Sequence, residues 1–334
     1  MSAPAATAAP SWLAGSTAVL AAAHEQGRMP HALLIHEAPG AGGEWLATWA
    51  AALVLCACNK PAPCGECTAC RRVRAAAHPD VRWLRPQEDS RQIRIEQVRE
   101  LSAELALTSH GGGYKVGIIT PADALNRFAA NALLKTLEEP PARTLLILVA
   151  SEPSRLPPTV LSRCQRIRIR APGRAESVAW LTAVRGGADW DAALDTLGEA
   201  PMQIVEADPA ELAAVGADTR GTLDALAAGR TDPAAAAERW ARSQLPLRLL
   251  CFENWLTERI RRGERDGTLF AEVRPAPYLS DAWAFLNIRE LFGLIDEVRD
   301  LRATLDVPLN RGMALEALFR RIAPTGGARN GVQG

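Results

Sequence analysis

Five of the seven cysteines fall within fifteen residues: Cys56, Cys58, Cys64, Cys67 and Cys70. The run Cys64-x₂-Cys67-x₂-Cys70 presents three sulfurs from one knuckle of chain, and a fourth thiolate closes a tetrahedron around zinc. The spacing leaves Cys56 and Cys58 as rivals for that fourth place. Reduced surface thiols have no reason to recur at two-residue gaps, and a redox pair needs only two cysteines. An odd count, tight clustering and no export signal argue against a disulfide framework. The sequence therefore predicts a structural zinc site. The other two cysteines stand apart, and Cys251 reads as a core residue of a helix.

A second pattern is the loop Glu37, Ala38, Pro39, Gly40, Ala41, Gly42, Gly43, Glu44. A phosphate loop reads G-x-x-x-x-G-K-[ST]: its N–H groups cradle phosphates, its Lys neutralises them and its hydroxyl holds Mg²⁺. Here Glu37 replaces the first Gly, Gly43 the Lys and Glu44 the Ser/Thr. Gly40 and Gly42 keep the turn. Two carboxylates with no cation to offset them oppose a polyanion. The bland reading is an ordinary strand-to-helix turn, and for chemistry it is nearly sufficient. A second ATP element would end a strand in Asp-Glu. The corresponding run, Val116–Ile119, ends in Thr120-Pro121, and Asp123 comes three residues too late. Both elements are thus degenerate, and no nucleotide cofactor is expected.

These groups need a frame. Short apolar runs at 31–36, 81–84, 116–120, 145–150 and 167–169 predict strands of a buried parallel sheet. Helical patterns at 44–56, 95–107 and 126–138 alternate with them, and Pro140-Pro141 stops the last. Strand, Gly loop, helix and repeated alternation predict a doubly wound α/β domain over residues 1–170. Two or three short helices follow to 206, then a helical region from about 208 to 322 with a loop at Arg274–Pro277. The Gly-rich tail 323–334 is expected to be disordered. His31, His36 and His78 receive strand-edge or loop roles.

Composition restricts the function classes. At 334 residues and 48% hydrophobic, the chain can bury a core of its own. Lys plus Arg equals Asp plus Glu at 38 each, so any nucleic-acid contact must come from a local patch. No basic residue precedes the mildly apolar N-terminus, which excludes a secretory signal. The apolar run 45–58 is too short to span a bilayer. A soluble, cytoplasmic chain is expected.

Three strings point to a family: Asn131–Pro141 (NALLKTLEEPP), Leu156–Cys164 (LPPTVLSRC) and the cysteine cluster. In this order after a Gly loop, they resemble the clamp-loader branch of the AAA+ family, seen in the gamma/tau and delta-prime subunits of bacterial DNA polymerase III. The likeness covers 30–170 and is weak beyond, although Leu309–Glu316 looks like the family's closing helix. Within the branch, the broken loop, His78–Asp80 and Asp89–Ile95 point to the delta-prime group.

The resemblance implies an AAA+ module with an inserted zinc module at about 56–70, a small helical lid (171–207) and an all-α C-terminal collar (208–322) that oligomerises. It implies a non-catalytic subunit of the polymerase III holoenzyme that assembles with delta and gamma/tau and helps load the sliding clamp onto primed DNA. Ser162-Arg163-Cys164 resembles the motif that passes an arginine finger, Arg163, into a neighbour's ATP site. The family's first cysteine follows the apolar helix, which favours Cys56 as fourth ligand over Cys58. The rival readings are an ATP-hydrolysing clamp-loader or helicase-loader subunit, opposed by the missing Lys and Ser/Thr, and a zinc-ribbon nucleic-acid binder, opposed by zero net charge.

Overall fold

The computed structural model describes residues 9–58, 61–87, 90–265, 288–305 and 310–323. The loop expected at 274–277, the tail 324–334, Asp89 and Leu309 lie outside them. The chain divides into two compact units, one of residues 1–186 with 199–206 and one of residues 187–198 with 207–334.

The first unit is built on five parallel strands: β1 (Ala32–Glu37), β2 (Val81–Leu84), β3 (Lys115–Ile119), β4 (Thr144–Ala150) and β5 (Gln165–Ile169). Their order is β2-β3-β4-β1-β5. The central strands β3 and β4 are buried along their whole length, as a sheet covered on both faces requires. The helices of this unit are α1 (Ala14–Glu25), α2 (Gly43–Leu55), α3 (Thr68–Arg74), α4 (Ile95–Ala106), α5 (Arg127–Glu138), α6 (Pro158–Leu161), α7 (Arg174–Arg185) and, after the excursion into the second unit, Pro201–Ile204. On one face of the sheet, Val98, Leu101 and Leu105 of α4 and Leu133 and Leu137 of α5 bury against Leu34, Leu146 and Leu148. Their spacing is the helical stripe read from the sequence. Asn126 caps α5, its side chain accepting the N–H of Ala129 at 2.8 Å. Helix α2 packs on β1 and β4. It leaves the sheet where the strand order reverses, so the Gly loop sits at the carboxyl ends of β1 and β4. Open α/β sheets place ligand sites at that point.

The second unit is helical: α8 (Trp190–Leu197), then, with Pro201–Ile204 counted as α9, α10 (Pro209–Ala227), α11 (Pro233–Arg242), α12 (Leu245–Arg265), α13 (Ile288–Ala303) and α14 (Arg311–Ile322). The helices between 174 and 206 are thus shared between the units, α7 and α9 lying with the sheet and α8 with the helices. The core of the second unit centres on Trp240, whose ring meets Phe319 edge-on at 4.8 Å. Buried Arg248 lies with its guanidinium 5.6 Å from the centroid of the Trp240 ring and bonds Asp218 at 2.5 Å, so the charge is paired. Cys251 is fully buried. No described helix is long and apolar enough to cross a membrane.

Candidate functional site

The Gly loop connects β1 to α2 with the shape of a phosphate loop. Gly40 and Gly42 have φ of 75° and 108°, values open to glycine and strained for other residues. The loop's polar groups, however, are engaged by the chain's own side chains and backbone. The N–H of Gly43 donates to Glu37 Oε2 at 2.6 Å. The carbonyl of Ala41 accepts from Trp12 Nε1 at 2.7 Å, and that of Gly40 from the N–H of Met202 at 3.2 Å. A side chain at Gly40 would strike Ala200, whose Cβ lies 2.6 Å from where the new Cβ would stand.

Glu37 and Gly43 form a matched pair. A Cβ added at Gly43, the position a phosphate loop gives to Lys, would stand 2.5 Å from Glu37 Oε1 and 2.6 Å from Val149 Cγ1. The carboxylate fills the space that the lysine stem would need. Burial pushes Glu37 up to about 7, against the bonds from Gly43 and Gly42 that favour its charged form; Glu44 and Asp123 add to the rise.

Glu44 corrects the expectation of two unopposed carboxylates. Arg85 grips it with two bonds, at 2.9 and 2.8 Å, a fork-on-fork geometry. Thr120 Oγ1 donates to the same carboxylate at 3.0 Å. The two degenerate ATP elements, Glu44 and Thr120-Pro121, are therefore bonded to each other. Asp123 serves the backbone, accepting the N–H of Glu152 at 3.1 Å. Sequence reasoning missed Arg85, Trp12, Ala200 and Met202. Arg85 alone left a signal, as a cation directly after a strand whose carboxyl end faces the loop.

Arg163 lies after α6, about one-third exposed, and makes an ion pair with Glu138 at 2.8 Å. Its other terminal nitrogen donates to the carbonyl of Thr159 at 2.9 Å. Ser162 Oγ also donates to that carbonyl, at 3.1 Å. Glu138 belongs to the string Asn131–Pro141, so two motifs far apart in sequence meet at one guanidinium. Cys164 is buried in the sheet core, where burial raises its thiol to about 11. It supports the turn from inside and is chemically quiet.

All five clustered cysteines converge. The sulfurs of Cys56, Cys58, Cys64 and Cys67 lie within 4.8 Å of one another, and Cys70 Sγ is 4.0 Å from Cys64 Sγ. Both candidates for the fourth ligand are thus in the cluster. The N–H of Cys67 donates to Cys64 Sγ and that of Cys70 to Cys67 Sγ, each at 3.4 Å. The bond from Cys70 leads in bringing the Cys67 thiol down to about 6, and that from Cys67 leads in lowering Cys64. An all-thiol set in which two of the thiols are depressed and Cys58 and Cys70 are raised fits zinc by its donor type and spacing. Bound there, zinc would tie the end of α2 to the start of α3. His78 has a loop role, its Nδ1 accepting the N–H of Asp80 at 3.1 Å.

The family described as "DNA polymerase III, delta subunit" matches residues 14–173. A DNA polymerase III subunit delta' of Pseudomonas aeruginosa is 46% identical over 155 residues, 45% of this chain and 46% of that protein. The subunit delta' of Escherichia coli is 38% identical over 174 residues, covering 51% of this chain and 52% of that one. Over residues 14–173 this chain is similar to DNA polymerase III delta-prime subunits. The DNA polymerase III subunit tau of Salmonella typhimurium is 34% identical over 146 residues, 43% of this chain and 22% of its own length. The chain spans about half the length of the delta-prime relatives it matches. The matched segment contains the Gly loop, the cysteine cluster and Arg163, and it ends before α7.

Proposed function

We propose that this chain is a delta-prime-type subunit of a DNA polymerase III clamp loader that binds no ATP of its own. The observation that carries this reading is the Glu37 carboxylate on the N–H of Gly43. It puts a resident carboxyl group where a phosphate loop receives a phosphate, and it fills the space of the missing lysine. In this reading residues 1–170 are the AAA+ module, 171–207 the lid and 208–322 the oligomerising collar. The chain is a cytoplasmic scaffold that assembles with delta and gamma/tau subunits and acts on the sliding clamp and primed DNA through the complex. Arg163 reaches in trans to a gamma/tau ATP site, and a structural zinc holds the cysteine module. Catalysis belongs to the holoenzyme and not to this chain.

Calorimetric titration of the isolated protein with Mg·ATP tests the central claim. No binding heat at micromolar to millimolar ATP is expected. Saturable micromolar binding would instead support an ATP-hydrolysing clamp-loader or helicase-loader subunit.

A further inference from the structure

The cysteine cluster holds one thiol more than a tetrahedral zinc takes. Cys56, Cys58, Cys64 and Cys67 form one set in which every sulfur is within 4.8 Å of every other. Cys70 is outside that mutual set, yet its sulfur is 4.0 Å from Cys64 and interacts with those of Cys67 and Cys56. The Cys58 sulfur is 3.5 Å from that of Cys64. With Zn–S bonds of about 2.3 Å, two sulfurs of a tetrahedron stand about 3.8 Å apart. The two measured separations straddle that value. The sulfurs of Cys56, Cys64 and Cys67 are thus common to two sets of four, one completed by Cys58 and the other by Cys70.

We propose that this is one zinc site with two alternative four-thiolate shells, which share Cys56, Cys64 and Cys67 and exchange Cys58 for Cys70 as the fourth ligand. The two alternatives differ in their surroundings. Cys70 is inside α3 and 3% exposed, whereas Cys58 lies half-buried on the loop after α2. A zinc bound through Cys70 leaves Cys58 as a spare thiol beside the ion. Loss or modification of Cys58 then leaves a complete shell, and loss of Cys70 is made good by Cys58. The inference concerns only the ligand set and stands apart from the functional reading.

The test is zinc content of the purified full chain, with cobalt substitution to read the four-thiolate absorption. Cys58→Ser and Cys70→Ser should each keep a full complement of zinc and the tetrahedral four-thiolate spectrum. The double variant should lose both, as should Cys64→Ser and Cys56→Ser. In the zinc-loaded parent, a small alkylating reagent should modify Cys58 without releasing zinc; in Cys70→Ser the same modification should release it. Loss of zinc from folded Cys58→Ser or Cys70→Ser would show a single fixed shell. Full zinc in Cys56→Ser would overturn the shared set. Should Cys70→Ser fail to fold, Cys70→Ala, which adds no hydroxyl to the buried position in α3, takes its place: full zinc is expected, and zinc loss from folded Cys70→Ala would show a single fixed shell.

Discussion

At Glu37 one carboxylate takes over a job that a phosphate loop gives to its ligand. It satisfies the N–H of Gly43 at 2.6 Å, and burial raises its pKa from the ordinary 4.5 to about 7. The sign of the pH effect follows. Between those values the folded chain holds a proton that the unfolded chain has released, so stability falls as pH rises through the window. The full shift corresponds to about 3 kcal/mol. We expect thermal stability of the first unit to decline between about pH 5 and pH 7.5 and the decline to flatten in Glu37→Gln. Melting followed by circular dichroism over that range checks it. Equal slopes in the two proteins would mean that Glu37 titrates as an ordinary exposed carboxylate. At the same scale, Arg85 shows why the loop was only partly legible. The sequence displays Glu44 and the absent lysine, but a bidentate partner 41 residues away becomes visible only once the segment after β2 reaches the start of α2.

Among the elements, the strands and helices of the first unit were legible because their patterns are strong. Fully apolar runs make β3 and β4, and stripes such as Val98, Leu101 and Leu105 make α4. The predicted bounds differ by a residue or two where a capping residue sets the end, as Asn126 does for α5. Helix α3 was not predicted, because it starts inside the cysteine cluster and its seven residues are too few to show a stripe. The closure of the Gly loop by Ala200 and Met202 was illegible for a different reason. It joins segments about 160 residues apart through a backbone bond and a methyl contact that leave no pattern in either. The β1–loop–α2 junction yields a prediction of its own. Gly43→Lys alone should destabilise the chain by about 1–3 kcal/mol, because the new Cβ meets Glu37 and Val149 in a packed junction. Adding Glu37→Gly should recover part of that loss, since it removes one of the two clashes. Denaturant unfolding of the single and double variants measures the coupling. Strictly additive effects would mean that the pair is not matched.

Among the described residues of the whole molecule, the sheet unit carries the Gly loop, the cysteine cluster and Arg163, and the helical unit carries a large apolar core. That division suits a chain whose chemistry is delivered to a neighbour. In the proposed reading Arg163 is the group delivered. Glu138, the Thr159 carbonyl and Ser162 Oγ hold its two terminal nitrogens, and the planar fork has five N–H groups in all with which to meet a phosphoryl oxygen. An exposed ion pair of this kind contributes about 0.2–1 kcal/mol, so Arg163→Ala should leave the chain folded and able to assemble. In a complex reconstituted with the proposed delta and gamma/tau subunits, the one ATP site facing this chain should become nearly silent, since arginine fingers are worth about 10³–10⁵ in rate. Sites between gamma/tau subunits would keep their own arginines. DNA-stimulated ATPase activity should therefore fall only in part, while clamp loading, which needs the sites to act together, falls further. The comparison is of both rates for parent and Arg163→Ala complexes at matched assembly. Unchanged rates would make Arg163 a surface residue held by Glu138 and reduce this chain to a pure scaffold. A variant that failed to enter the complex would assign Arg163 to the assembly interface, a role that the ion pair with its own α5 does not favour.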